Sequence, residues 1–404
     1  MSSLPSRRPG FHFSRGTLCI TTAQEEMRLG TWPLLEATRR RNGEPKWIRF
    51  VPVFRLLRPK HDLLAIEPGP ADVRGQGVDP LLEKHQAFRL FRQSLPLRLA
   101  LAAERFPARQ WAVLRMVQER EEAMDVLEQN PALGFCTANL AKFRTLFGNL
   151  GKQAAELSRR TQRDVLGWLG FPDSQTWANL FRKIRPETIT VGRALALRDV
   201  EGKEDVAKRL AHVPSINTGL LELALQPGLL AQVSPALLNE IAKSEEEFLQ
   251  GSAVRLLEDV VRALQHMRRP PGLASLKTLA SLRQRSQEVA AEFVLHAEVM
   301  RGAYRFPVPP VPGTADIVPL TDAGQLLEEG RQQHNCVGSY AEPVASGEVF
   351  IYRVLRPERA TLSIRPAASG EWEIEQLMRG CNQPVSRATA LMVQRWLAQE
   401  SISI

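Results

Sequence analysis

The placement of proline constrains this chain more than any other feature. Between Asp79 and Gly302 the sequence is interrupted at Pro107, Pro131, Gly170 to Pro172, Pro186, Pro214, Pro227 and Pro270-Pro271. A proline inside a helix removes a backbone donor and clashes with the preceding turn, so no long rod can pass through these points. Between the breaks, apolar residues recur at three- and four-residue steps. That pattern predicts a series of short amphipathic helices packed on one another. No fixed-period repeat is present. In "LKTLASLRQRSQEVAAEFVLHAEVM", Leu279, Leu282, Val289, Phe293 and His296 fall near one face, and His296 reads as a packed helix residue rather than a ligand.

The regions on either side read differently. The opening "MSSLPSRRPG" has the composition of a tail. "GTWPLLEATRRRNGEPKWIRFVPVFRLL" reads as two extended runs around the turn-prone Arg41-Asn42-Gly43-Glu44-Pro45, a hairpin with Trp47, Val51 and Val53 on one face of its second run. The Gly- and Pro-rich "EPGPADVRGQGVDP" then separates this β-leaning region from the helices. Beyond the helices, "FPVPPVPGTADIVPL" carries prolines at 307, 309, 310 and 312. It predicts an extended, stiff connector, with recognition by a proline-binding module as the alternative use.

The last hundred residues predict a small α+β domain. A helix is expected from Thr321-Asp322, with Leu327, Gly330, His334 and Val337 recurring at helical steps, so that His334 faces inward if the helix continues. "EVFIYRVL", "RATLSIRP" and "EWEIEQLM" read as three strands of an antiparallel meander. Alternation in the third puts Trp372, Ile374 and Gln376 on one face and Glu371, Glu373 and Glu375 on the other, and a buried Gln376 would need a partner such as Asn382. A closing helix carries Val385, Ala388, Met392, Trp396 and Leu397. The expected fold is therefore mainly α, with a C-terminal α+β domain (helix, three-stranded antiparallel meander, helix) and a small β-leaning N-terminal region. The expected domains are residues 1–75, 79–302, a Pro-rich linker 303–319, and 320–404.

Charge is unevenly placed. Residues 1–60 hold twelve Lys and Arg against four Glu, a balance of +8 out of a net +9 for the chain. Basic side chains that neutralise phosphates release condensed counterions, so this arm points to DNA or RNA through Arg39, Arg40, Arg41, Lys46 and Arg49; a solubilising terminus is the plainer alternative. In the last domain Arg353, Arg359, Arg365, Arg379, Arg387 and Arg395 could present a phosphate-binding face with Tyr352 for stacking, although interleaved acids equally describe an ordinary solvated surface. No apolar run is long enough to cross a bilayer. Four cysteines in 404 residues do not make a disulfide framework, so a cytoplasmic location is expected. No cofactor is expected, and no phosphate loop, dinucleotide fingerprint, H-E-x-x-H or G-x-S-x-G occurs.

"RQQHNCVGSYAEPVASGEVFIYRV" is the densest cluster of chemistry-bearing residues, and it leaves three readings open. Cys336 could be a nucleophile, but it needs a base in reach. His334 lies two residues away, about 200° around a helix, so pairing requires the helix to end before Asn335. A metal corner of His334, Cys336 and Cys381 would lack a fourth ligand of standard spacing, and no metal site is assigned. The third reading is a structural junction, with Asn335 and Gly338 at a helix terminus and Tyr340 anchoring a loop. Gln376 and Asn382 complete the candidate set.

These motifs, "HNCVGSY" followed by "ERATLSI", "WEIEQLMRGCNQPV" and "VQRWL", resemble the PcfJ-like family over about residues 270–400. The shared positions are His334, Asn335, Cys336, Gly338, Tyr340, Gly347, Thr361, Gln376 and Asn382. The resemblance implies a bacterial protein of plasmid or mobile-element biology and supplies no catalytic residues. The expectation is an accessory factor that contacts nucleic acid through its basic N-terminus. The alternative is an enzyme or metal protein centred on His334, Cys336, Gln376 and Asn382, and protein partners are not specified by the sequence.

Overall fold

The structure, a computed structural model, describes residues 10–42, 44–54, 56–57, 80–244, 247–297, 304–367 and 371–400. Among the sequence expectations, the tail before Gly10, the Gly- and Pro-rich passage before Pro80 and the side chain of His296 lie outside the described residues. The chain is mostly helical, 53% helix and 15% strand, with one antiparallel sheet near each end. It forms two compact units, Met1–Ala211 and His212–Ile404.

In the first unit, β1 (Gly10–Ser14), β2 (Thr17–Thr21), β3 (Glu25–Gly30), β4 (Ala37–Arg41) and β5 (Ile48–Arg49) pair in sequence order. The expected hairpin is its last turn, with Thr38 opposite Arg49. Three strands precede it. β1 and β2 are joined at Arg15-Gly16, both at positive φ (49° and 70°), as a tight hairpin turn demands. One face of the sheet buries Phe11, Leu18, Ile20, Met27, Leu29 and Ala37. The expected apolar face of the second run is not buried: Val51 and Val53 lie beyond β5 and are 48% and 50% exposed.

The helices of this unit are short, as the prolines require. Pro131 is the first residue of its helix, where a missing N–H costs nothing. Asn130, Asn149, Thr161, Ser174 and Thr190 each accept a backbone N–H at a helix start. The core is aromatic, with Trp177 and Phe181 fully buried and the Phe171 ring edge-on to Phe181 at 4.9 Å.

The second unit has its own sheet, ordered β10-β9-β8-β7-β6: β6 (Ile317–Pro319), β7 (Phe350–Val354), β8 (Ala360–Pro366), β9 (Trp372–Arg379) and β10 (Gln383–Pro384). The three expected strands are its centre, and two short strands flank them. One face is apolar, with Tyr352, Leu362, Ile364 and Leu377 packing on Trp396 of the closing helix Arg387–Glu400. The proline connector is tied to this layer, because its Val311 and Pro312 carbonyls accept from the Tyr352 hydroxyl (2.8 Å) and the Trp396 indole (3.2 Å).

The other face carries Ile351, Thr361, Ser363, Gln376 and Met378, the partners of one another across β7, β8 and β9. This corrects the expected alternation. The register runs Ile364 to Ile374 but Ser363 to Gln376, so Glu375 is an extra residue in a β-bulge. The bulge leaves Trp372 and Ile374 on the apolar face and turns Gln376 to the opposite one.

Candidate functional site

Against that second face lie the helices Glu247–His266, Leu279–Ala297 and Ala323–Gln333 and the turn Cys336–Tyr340. Asp322 caps the Ala323–Gln333 helix by accepting from the Gln325 amide, and the helix stops at Gln333. His334 takes the left-handed conformation (φ 48°) as its cap residue. The chain then leaves in an extended step at Asn335, whose side chain accepts the Val337 N–H at 3.2 Å. The helix does end before Asn335, the condition for pairing His334 with Cys336. The left-handed step nevertheless separates the two side chains: His334 is exposed and Cys336 is buried.

The buried side chains form three linked groups. In the first, Tyr340 donates to Asp259 at 2.9 Å while the Arg262 guanidinium lies 4.1 Å over the Tyr340 ring and 3.6 Å from the Asp259 carboxylate. Arg255 joins it, 3.0 Å from Glu258 and 3.5 Å from the bulge residue Glu375. In the second, the Cys336 thiol donates to the Ser286 carbonyl at 3.5 Å, and Asn382 donates to the Ser286 hydroxyl at 3.1 Å. In the third, fully buried Glu329 receives Arg353 at 2.8 Å, Arg359, and the Thr361 hydroxyl at 2.7 Å, while Asn335 donates to that hydroxyl at 3.4 Å.

Four carboxylates, Asp259, Glu258, Glu329 and Glu375, thus meet four guanidinium groups, Arg255, Arg262, Arg353 and Arg359. A seam so balanced presents no net charge to a ligand. Where its three parts meet, a cavity of about 10 Å³ is lined by Asp259, Asn335, Cys336, Tyr340, Thr361, Ser363, Gln376 and Asn382. That is the space of one water molecule, not of an organic substrate. Ser363 Oγ and Gln376 Nε2 have no protein hydrogen-bond partner among the described residues, so the pairing of Gln376 with Asn382 does not occur.

Burial sets the chemistry of these groups. It pushes the Cys336 thiol up to about 12, with the nearby Asp259 charge adding to the effect. Its neighbour in sequence, His334, faces solvent, so the surroundings of Cys336 favour the thiol over the thiolate that a nucleophile requires. Burial also raises the Asp259 carboxyl to about 6, against the opposing pull of Arg262 and the Tyr340 hydroxyl. Cys381 is half-buried in a left-handed step (φ 57°), followed by Asn382 in another (φ 53°). Among the described residues no three His, Cys, Asp or Glu side chains come together as a metal site.

The glycines of the motif also act structurally. A Cβ on Gly338 would lie 3.0 Å from Leu327 and 3.4 Å from Phe293, so any larger residue would force these side chains to shift and glycine lets the turn approach the helices closely. Gly347 sits at φ 77° ahead of β7. Tyr352 is completely buried and is not available for stacking, and Arg353, Arg359, Arg365 and Arg379 face Glu329, Glu329, Glu373 and Glu358. The terminal arginines are therefore largely neutralised by the chain itself.

Residues 259–392 match the family model of the PcfJ-like proteins. The resemblance read from the C-terminal motifs is shown, and the match begins earlier than those motifs, at Asp259, the residue that holds Tyr340. Neither the curated proteins nor the solved structures provide a match to the chain. Asp259, Ser286 and Glu329 were missed by sequence reasoning. One signal was available for Asp259: it is a lone acid on a helical face that otherwise buries Leu256, Val260 and Ala263.

In the first unit, the five basic residues expected to meet nucleic acid do not share one surface. Strand alternation places Arg40 and Arg49 on the side of the sheet opposite the buried core, together with Arg28 and His12. Arg39 and Arg41 belong to the other side, where Arg39 lies 5.5 Å from the Phe50 ring and 3.6 Å from Glu25. Lys46 is exposed in the β4–β5 loop. The residue that organises the outer face is Trp47: the guanidinium groups of Arg28 and Arg40 lie over its ring at 4.1 and 4.8 Å, and beneath them Glu26 binds both at 3.3 and 2.8 Å. The two arginines hold the Glu26 carboxyl below its usual range, even against the cost of burial.

Proposed function

We propose that this protein is an accessory factor of bacterial plasmid or mobile-element biology that contacts DNA or RNA through the outer face of its N-terminal sheet. The observation that carries this reading is the arrangement of Arg28, Arg40 and Trp47, which stacks two partly exposed guanidinium groups, both also held by Glu26, on an aromatic ring at the surface of the sheet. Arg49 extends the row, and the +8 balance of residues 1–60 supplies the long-range attraction. Single-stranded nucleic acid suits such a surface, because every base offers a π-face for stacking whatever its identity. The PcfJ-like part then serves as a folded body whose buried seam fixes its geometry, and the Cys336 corner is read as structural.

The test is fluorescence anisotropy of labelled single-stranded and duplex DNA and RNA with the full chain, across roughly 50–200 mM salt. Affinity should fall steeply with salt. Arg28→Ala with Arg40→Ala should lower the slope of log affinity against log salt by roughly 0.7 per lost phosphate contact on a single strand. Trp47→Ala should cost about 1–3 kcal/mol of binding. Absence of binding at low salt, or binding that none of these substitutions alters, would sink the proposal.

A further inference from the structure

The first unit also contains a cavity of about 610 Å³, within the range of small-molecule sites. Its walls are largely apolar and include Leu35, Phe50, Val53, Trp111 and Ala138. Four cations line it, and they divide into two pairs. Arg49 is neutralised by Glu36 at 2.9 Å and Arg115 by Glu119 at 3.0 Å. Arg109 and Lys142 have no hydrogen-bond or ion-pair partner for their side chains among the described residues.

Arg109 is the more telling of the two. It holds a left-handed backbone conformation (φ 55°) at the start of the helix Gln110–Glu119, where a side chain with a Cβ is disfavoured. Burial without a compensating acid brings its guanidinium below the usual arginine range. A partly desolvated cation costs free energy unless an anion meets it, and no carboxylate among the described residues does so.

We propose that this cavity binds a small amphipathic organic anion, with a carboxylate or phosphate head held by Arg109 and Lys142 and an apolar body against Phe50, Val53 and Trp111. The site shares only Arg49 with the Arg28, Arg40 and Trp47 face, and because its anion is held by Arg109 and Lys142 the two readings are tested by different substitutions. Charge complementarity selects the class of ligand, because the apolar walls alone would accept a neutral molecule equally well.

The probe is 8-anilinonaphthalene-1-sulfonate, with N-phenyl-1-naphthylamine as its uncharged counterpart, titrated into the full chain by fluorescence. One saturable site is expected for the anion. Arg109→Gly, which removes the side chain while relieving the left-handed backbone, should weaken the anion roughly tenfold and leave the neutral probe unchanged. Lys142→Met, at an exposed position, should do the same to a smaller extent. Ala112→Trp, which fills the cavity, should abolish both probes. Displacement by 1-naphthoate or by 1-naphthyl phosphate then assigns the head group. The proposal fails if the anion does not bind, if 1-naphthol displaces it equally well, or if neither cation substitution separates the charged from the neutral probe.

Discussion

Arginine is used differently in the two halves of this chain. In the second unit Arg255, Arg262, Arg353 and Arg359 reach inward to acids that are buried or nearly so. In the first unit Arg28 and Arg40 also bind a buried acid, Glu26, but stack over Trp47 at the surface while doing so, and Arg109 lines a cavity without an ion-pair partner among the described residues. The difference teaches that local sequence charge does not report function. The terminal domain pairs Arg353, Arg359, Arg365 and Arg379 with its own acids, whereas in the N-terminal unit Arg109 and Lys142 are left without such a partner among the described residues.

The largest effect that would break this comparison is chemical. If the seam is sealed, Cys336 should alkylate with iodoacetamide at least about a thousandfold more slowly than an unperturbed thiol near neutral pH, since both exposure and thiolate fraction are low. Half-buried Cys381 should react well before it, as read by peptide mass spectrometry. Rapid labelling of Cys336 in the folded protein would reopen the thiol-enzyme reading. Next in size, Glu329→Ala removes the acid shared by Arg353, Arg359 and Thr361 and should destabilise the unit by about 3–5 kcal/mol in urea unfolding. A loss below about 1 kcal/mol would mean the charges are solvated rather than locked.

Tyr340→Phe, which leaves Asp259 without its hydroxyl donor, should cost about 1–3 kcal/mol. The same carboxyl predicts a pH dependence. Asp259 is raised from 3.8 to about 6 on folding, so between these values the folded state holds a proton that the unfolded chain has released. Its contribution is favourable at low pH and is lost as pH rises toward about 6, a change on the order of 3 kcal/mol. Asp259→Asn should flatten that decline, and an unchanged slope would assign the proton elsewhere. Smallest of all, removing the exposed Arg49–Glu36 pair by Arg49→Ala should alter stability by less than about 1 kcal/mol while still weakening nucleic acid.

Much of this was written locally. Proline and capping residues set the helix starts, as at Asn130-Pro131, because they act within one turn of the backbone. Period-2 patterning marked β7, β8 and β9, and the motifs from His334 to Asn382 were sufficient to reveal the PcfJ-like match. The first three strands were not anticipated, and β2 carries no such mark: Leu18, Cys19, Ile20 and Thr21 are all buried, so no alternation of apolar and polar residues announces the strand.

What the sequence by itself determined was the list of segments and the residue types that would meet. Only the tertiary structure decided their sides. A single bulge at Glu375 moved Gln376 from the apolar layer into the seam, and one left-handed step turned His334 out while Cys336 went in. Likewise, partners 81 residues apart gave Tyr340 to Asp259. Periodicity counts residues along one chain, whereas burial and pairing depend on which distant segment arrives opposite; that is why the helices were legible and the role of each polar group was not.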